Sequence, residues 1–244
     1  MLKIPYCFTK KDLMINFNNK SQFDNWIKKQ SKRESIKKIR NGLYVAVDTM
    51  GVINATKYEI GSKVTNGAVI CYHSALEYYG LTNQVYNYVI VGSLNRFNSF
   101  EFEGIDYYYK KYNNYNQVLF NEINGIRVTS LEKTIVDCID DIDYAGGIEE
   151  LLNAIDMIDK LDEQKLLEAL ASYDEVLLYQ KTGYILEQFN DSLRLSDDFF
   201  NKCIKKMTNQ IKYFLNDEYN DVVYNSKWKL MAPYNLKTRI NGGL

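Results

Sequence analysis

Proline is nearly missing from this chain: Pro5 and Pro233 are the only two. A proline-rich linker is therefore excluded. Histidine is scarcer, with His73 alone. A Ser-His-Asp triad would have a single possible base, and no strand-turn-helix G-x-S-x-G elbow accompanies it. Beside a helix start, His73 is expected to be a surface or capping residue. The four cysteines, Cys7, Cys71, Cys138 and Cys203, are far apart and never in CxxC spacing. Buried, reduced thiols are expected, and a zinc site is not. No apolar run reaches the roughly 18 residues of a spanning helix, so no membrane partner is expected. The N-terminus lacks the basic, apolar, small-residue order of a secretory signal, so a cytoplasmic protein is expected. No glycine-rich phosphate loop appears. No cofactor, no metal and no enzymatic activity are expected.

What is present is charge, unevenly distributed. Residues 1–50 hold eleven Lys and Arg against four Asp and Glu, a net +7. The remainder holds 19 basic and 27 acidic residues, a net −8, within a whole-chain charge of −1. DNA carries one negative charge per roughly 1.7 Å of axis, and a basic head displaces its counterions. An acidic body is repelled, which confines contact to one end. At roughly 100–200 residues per domain, 244 residues suit two domains. The expected division is a winged helix-turn-helix over 1–50 and an α+β domain over 51–244.

Thr9 is a suitable N-cap for a short helix over Lys10–Ile15, with Asp12 placed to complete a capping box. Asn16, Asn18 and Asn19 mark a turn. Ser21 is read as the next cap, with a helix from Gln22 to about Gln30. Phe23, Trp26 and Ile27 share one face at i, i+3, i+4. Gln22, Asn25, Lys28, Lys29 and Lys32 lie opposite. Then come β-prone runs over 36–47 around Asn41-Gly42, a hairpin signal through a type I′ turn. Lys37, Lys38, Arg40 and Asn41 fall at or near its tip. Two helices and a basic ribbon read as a winged unit. Its second helix enters the major groove, with Gln22, Asn25 and Lys29 near base edges. Lys10, Lys11, Lys20, Ser21, Lys28, Lys32, Arg33, Lys37, Lys38, Arg40 and Asn41 complete the expected DNA-binding set, gripping phosphates and fixing register. The usual first helix has little room. It is expected as a short segment at Leu2–Phe8, or replaced by packing from the larger domain.

The stretch 48–65 is weakly periodic and reads as the domain boundary. A helix is expected over 72–79, and short strands at 85–91, 100–102, 105–109, 117–122 and 126–128, forming an antiparallel sheet. Thr129 or Ser130 caps a helix to Asp140. Helices are expected at 148–159, 162–172, 174–190 and 196–215, then strands at 222–224 and 228–231. The fold class is α+β: a small antiparallel sheet with several helices gathered after it.

Several motifs are similar to those of the AbiEi family, antitoxins of type IV toxin–antitoxin and abortive phage infection systems. Ile39-Arg40-Asn41-Gly42-Leu43-Tyr44 resembles the family's winged end. Ser74-Ala75-Leu76 with Tyr79-Gly80-Leu81, and Val128-Thr129-Ser130-Leu131-Glu132-Lys133-Thr134-Ile135-Val136-Asp137, resemble its middle section. Lys181-Thr182-Gly183-Tyr184-Ile185-Leu186 is similar to its late helix. The likeness runs from about residue 9 to 190. It implies a bifunctional protein. The winged domain represses its own operon by binding promoter repeats in double-stranded DNA. The C-terminal domain opposes a nucleotidyltransferase-like toxin without holding it in a stable complex. The short stretch before Thr9 departs from the fuller family N-terminus.

Two other readings stand beside this one. In the first, Glu101 and Glu103 share a strand face and bind Mg²⁺ for nuclease chemistry, with Asp106 and Lys110 nearby. In the second, the winged unit is vestigial and the chain is a protein-binding module. The Tyr107-Tyr108-Tyr109 run offers rings for base stacking, although sheet packing is the commoner use. Lys133 and Asp137 form an i,i+4 ion pair of modest expected value. Glu149, Glu150, Asp156, Asp159, Asp162, Glu163, Glu168, Asp174 and Glu175 are expected to form an acidic surface.

Overall fold

The computed structural model describes residues 4–112, 119–214 and 222–240. The chain is α+β. It begins with β1 (Cys7–Thr9), α1 (Lys10–Met14), α2 (Lys20–Lys32), β2 (Ile36–Arg40) and β3 (Leu43–Ala46). The three strands form an antiparallel sheet in the order β1-β3-β2. Of the two expectations for the leading helix, the short segment at Leu2–Phe8 is not met over its described residues, where Cys7–Thr9 is a strand.

The expected capping box at α1 is present. The Asp12 N–H donates to the Thr9 hydroxyl at 3.3 Å, and the Thr9 N–H donates to the Asp12 carboxylate at 2.8 Å. Lys63 adds an ion pair at 3.1 Å. Burial opposes the Asp12 charge, but the Thr9 bond and Lys63 outweigh it and hold the carboxyl below its ordinary 3.8. Its stabilisation is therefore fully present above pH 3.8 and disappears as pH falls through the lower folded-state value. Asp12→Ala is expected to cost about 0.5–1 kcal/mol at pH 7, solvent screening keeping it small. Thermal unfolding at pH 7 and in strong acid checks this: the gap between parent and variant must close in acid.

Helix α2 starts earlier than expected. Its cap is Asn19, whose side chain accepts the Gln22 N–H at 3.0 Å, so Ser21 lies inside the helix. Phe8, Leu13, Phe23 and Ile36 form the buried core beneath the helices, with Phe17, Trp26, Ile27 and Tyr44 packed around it. Full burial of side chains of this size contributes roughly 1.5–3 kcal/mol each. The β2–β3 turn differs from type I′, which needs positive φ at both central residues. Only Gly42 is positive, at +81°, and the pairing shifts between Lys38 and Arg40.

Next come α3 (Lys57–Ser62), β4 (Val69–Ile70), α4 (His73–Tyr78), β5 (Tyr88–Ser93), β6 (Phe100–Phe102), β7 (Ile105–Lys111), β8 (Phe120–Ile123) and β9 (Ile126–Thr129). Six strands align as β6-β7-β5-β4-β9-β8. Here the pairing is mixed where an antiparallel sheet was expected: β5 with β7 and β4 with β9 are parallel. The expected strand at 117–122 begins outside the described residues. Both Glu103-Gly104 and Asn124-Gly125 have two consecutive positive φ values, the type I′ signature, so the mirror-image turns sit there.

The helices follow: α5 (Leu131–Asp140), α6 (Ile148–Asp156), α7 (Glu163–Tyr173), α8 (Val176–Gln188), α9 (Asn190–Leu193) and α10 (Asp197–Lys205). Strands β10 (Lys212–Tyr213), β11 (Val222–Asn225) and β12 (Leu230–Pro233) form a last small sheet, with β12 between the other two. Helix α10 is shorter than its expected run to residue 215. Trp228 precedes β12 and is fully buried. A Cβ on Gly183 of α8 would lie 2.1 Å from its ring, so only glycine admits the indole.

The chain forms two compact units. The first comprises the described residues of Met1–Ile70, Tyr86–Asn113 and Glu122–Val128; the second, those of Cys71–Val85, Asn114–Asn121 and Thr129–Leu244. Residues 1–50 therefore share a unit with much of the mixed sheet, and the division differs from one cut at residue 50. All four cysteines are buried, and none forms a disulfide. Burial pushes the Cys7 and Cys203 thiols up to about 12. Among the described residues no helix is long and apolar enough to cross a membrane.

Candidate nucleic-acid interface

Helix α2 is amphipathic because its apolar residues recur at helical spacing, and packing Phe23 inward forces the opposite face out. On that outward face Ser21, Gln22, Asn25, Lys28, Lys29, Lys32 and Arg33 are all exposed, as are Lys11 and Lys20 nearby. On β2 and its turn, Lys38 and Asn41 are exposed. Thirteen residues at roughly 1.5 Å each make α2 a rod of about 20 Å, long enough to lie along a major groove. Lys11, Lys20, Lys28, Lys29, Lys32, Arg33 and Lys38 meet no acidic partner among the described residues.

Four residues of the expected set are committed within the protein. Lys10 pairs with Asp24 at 3.2 Å and lies over the Phe23 ring. Gln22 spends its side-chain oxygen on the Asn18 N–H at 3.2 Å, completing a reciprocal cap with Asn19. Lys37 is paired with Glu103 and sits over the Phe102 ring. The Arg40 guanidinium sits over both Phe97 and Phe100, at 5.4 and 5.1 Å from their centroids. Its Nη1 is buried without a hydrogen-bond partner. Sequence proximity to the hairpin tip put Lys37 and Arg40 on the DNA side. The aromatic residues that hold them come from the β5–β7 region and carry no local signal.

Arg40 thus anchors the hairpin through cation–π packing, with a strength of about 1–2 kcal/mol when desolvated. Arg40→Gln is expected to lower stability by about that much while leaving the salt dependence of DNA binding nearly unchanged. Thermal unfolding paired with a salt titration of DNA binding separates the two roles. A slope lowered by a full contact in Arg40→Gln would make Arg40 a phosphate ligand.

The carboxylates of the nuclease reading are also spent. Glu103 occupies the turn at φ +52° and pairs with Lys37. Glu101 accepts the Gly104 N–H at 2.5 Å. Among the described residues no group of three His, Cys, Asp or Glu is placed to hold a metal ion. In the tyrosine run, Tyr107 is fully buried and stacked on Phe100, while Tyr108 is exposed and hydrogen-bonded to Asp106.

The second unit has a buried polar cluster of its own. The Ser130 hydroxyl caps α5 by accepting the Lys133 N–H. One turn on, Lys133 and Asp137 form the expected i,i+4 ion pair, but almost wholly buried, so its value is not the modest one expected. The Tyr173 hydroxyl donates to Asp137 at 2.6 Å, and Lys133 lies 4.4 Å from the Tyr173 ring centroid. Burial first, and the Asp137 charge second, push the phenols of Tyr72 and Tyr173 far above their ordinary range. Both hydroxyls therefore stay protonated, as donors rather than nucleophiles. His73 is buried rather than at the surface, 3.6 Å from Glu150. Glu150 is itself buried and accepts the Asn83 N–H, and Glu163 accepts from Ser196. Glu150 therefore leaves the expected acidic surface, while Glu163 stays half-exposed.

No family model matches the chain, and no curated protein matches it. Among solved structures, the crystal structure of the RV2827C protein from Mycobacterium tuberculosis is similar, with a TM-score of 0.62. The match has 12% identity and covers 93% of this chain and 86% of that one. At that identity the likeness is one of fold, and it spans nearly the whole α+β architecture of this chain.

Proposed function

We propose that this chain is a DNA-binding autorepressor and the antitoxin of a type IV, AbiE-like toxin–antitoxin system. The observation that carries the DNA-binding half is the outward face of α2. It presents Lys28, Lys29, Lys32 and Arg33 with no acidic partner among the described residues, beside an antiparallel hairpin. The order β1-α1-α2-β2-β3, with β1 paired to β3, supports reading this segment as a winged helix-turn-helix without its leading helix. In this reading α2 enters the major groove and the cations grip phosphate. Asn25 and Lys29 stand near base edges, while Gln22 serves the cap. The ligand is double-stranded DNA carrying the protein's own promoter repeats, and the setting is the cytoplasm.

The antitoxin half rests on the motif resemblance through 74–81, 128–137 and 181–186. The second unit opposes a nucleotidyltransferase-like toxin without forming a stable complex with it. Filter binding with the upstream region of the gene and with random DNA of equal length tests the repressor half. Preference for the upstream repeat, falling steeply with salt, is expected. Equal binding to both would sink it.

A further inference from the structure

We propose that the first unit also binds a small amphipathic organic anion, in a cleft behind the C-terminal end of α2. The cleft has a volume of about 1080 Å³. Its walls are the 31–38 stretch, the 47–60 stretch and the turn joining β6 to β7. All of these belong to one compact unit. The volume lies just above the roughly 300–1,000 Å³ usual for ligand sites.

The lining sets the ligand's chemistry. Ile36, Ile60, Phe102 and Ile105 supply apolar wall for a flat hydrocarbon body. Most of the charged groups there are already spent. Asp48 accepts the N–H groups of Met50 and Val52 and the Asn54 side chain. Lys37 and Glu103 neutralise each other, and Lys57 donates to the Tyr86 carbonyl. That leaves Arg33 and Lys38 against Glu34, a surplus of one positive charge. The carbonyls ending α2 do not cancel this surplus, because the N–H groups of Arg33, Glu34 and Ser35 cap them. An apolar body with an anionic end fits this combination. Arg33 and Lys38 also belong to the DNA-binding set. The bound anion and DNA therefore draw on the same two cations, a coupling that rests on the proposed function, whereas the binding itself does not.

The test uses the full chain without DNA, so its failure leaves the DNA-binding reading standing. The probe is 1-anilinonaphthalene-8-sulfonate, whose fluorescence rises on entering an apolar site. One saturable site per chain is expected. Affinity should fall at least tenfold in Arg33→Glu/Lys38→Glu, both exposed positions. It should fall similarly for N-phenyl-1-naphthylamine, which lacks the sulfonate. Ala55→Trp, which places an indole in the cleft, should weaken the signal while the far-ultraviolet circular dichroism stays that of the parent. No saturable enhancement, or equal binding by the parent and the charge-reversed variant, overturns the proposal.

Discussion

Replacing Asp137 with alanine is expected to cost the fold roughly 3–5 kcal/mol. The carboxylate is fully buried, and Lys133 beside it is nearly so. Removing the acid takes from a nearly buried ammonium group its i,i+4 partner, and from the Tyr173 hydroxyl its acceptor. Desolvation makes this far costlier than losing an exposed i,i+4 pair, worth about 0.3–0.5 kcal/mol. For a chain of this size each kcal/mol moves the melting temperature by about 2–4 °C, so a drop of roughly 6–20 °C should be measured. Replacing both partners at once, as Lys133→Met/Asp137→Leu, should recover much of the loss, because no charge is then stranded. A shift of only 1–2 °C in Asp137→Ala would mean that water reaches the pair.

The second large effect concerns DNA. Changing Lys28 and Lys29 together to glutamine should weaken binding to the upstream repeat about a hundredfold. A charge-assisted hydrogen bond contributes roughly 1.5–3 kcal/mol, and two at the low end of that range amount to such a factor. The salt slope should flatten by about 1.8, because each phosphate contact accounts for roughly 0.9. Asn25→Ala should act differently, lowering preference among sequences while leaving the slope intact. Parallel gel-shift titrations at several salt concentrations distinguish these outcomes. An unchanged slope in the lysine pair would move the interface off α2.

Much of the architecture could be read from local pattern. Helix α5 begins after Ser130 as its capping geometry demands, and the amphipathic spacing of Phe23, Trp26 and Ile27 placed α2 within two residues. The failures have physical causes. Helix α3 is short and its apolar periodicity faint; only the Thr56 and Glu59 capping box announced it. Parallel pairing of β5 with β7 depends on which strands meet in space. The unbroken apolar run of β5 was the available sign of a strand covered on both faces. Asn19 was read as a turn former, although turn formers and caps are the same residues. At the candidate interface, exposure of the α2 face followed from periodicity. The withdrawal of Lys37 and Arg40 did not, because Glu103, Phe97 and Phe100 meet them only through the tertiary fold.

The discontinuity of the first unit has a consequence for how the protein is made. Its chain leaves at Ile70, returns at Tyr86 and returns again at Glu122. The N-terminal helices leave the ribosome early, but the Phe97 and Phe100 rings that receive Arg40 are still unsynthesised. At roughly 5–20 residues per second, the wait for the final segment, ending at Val128, lasts on the order of ten seconds. During that interval the most basic stretch of the chain is exposed and incomplete, beside other nucleic acids in the translating cell. The capping boxes and the local aromatic core around Phe23 are the interactions that can already hold it in shape.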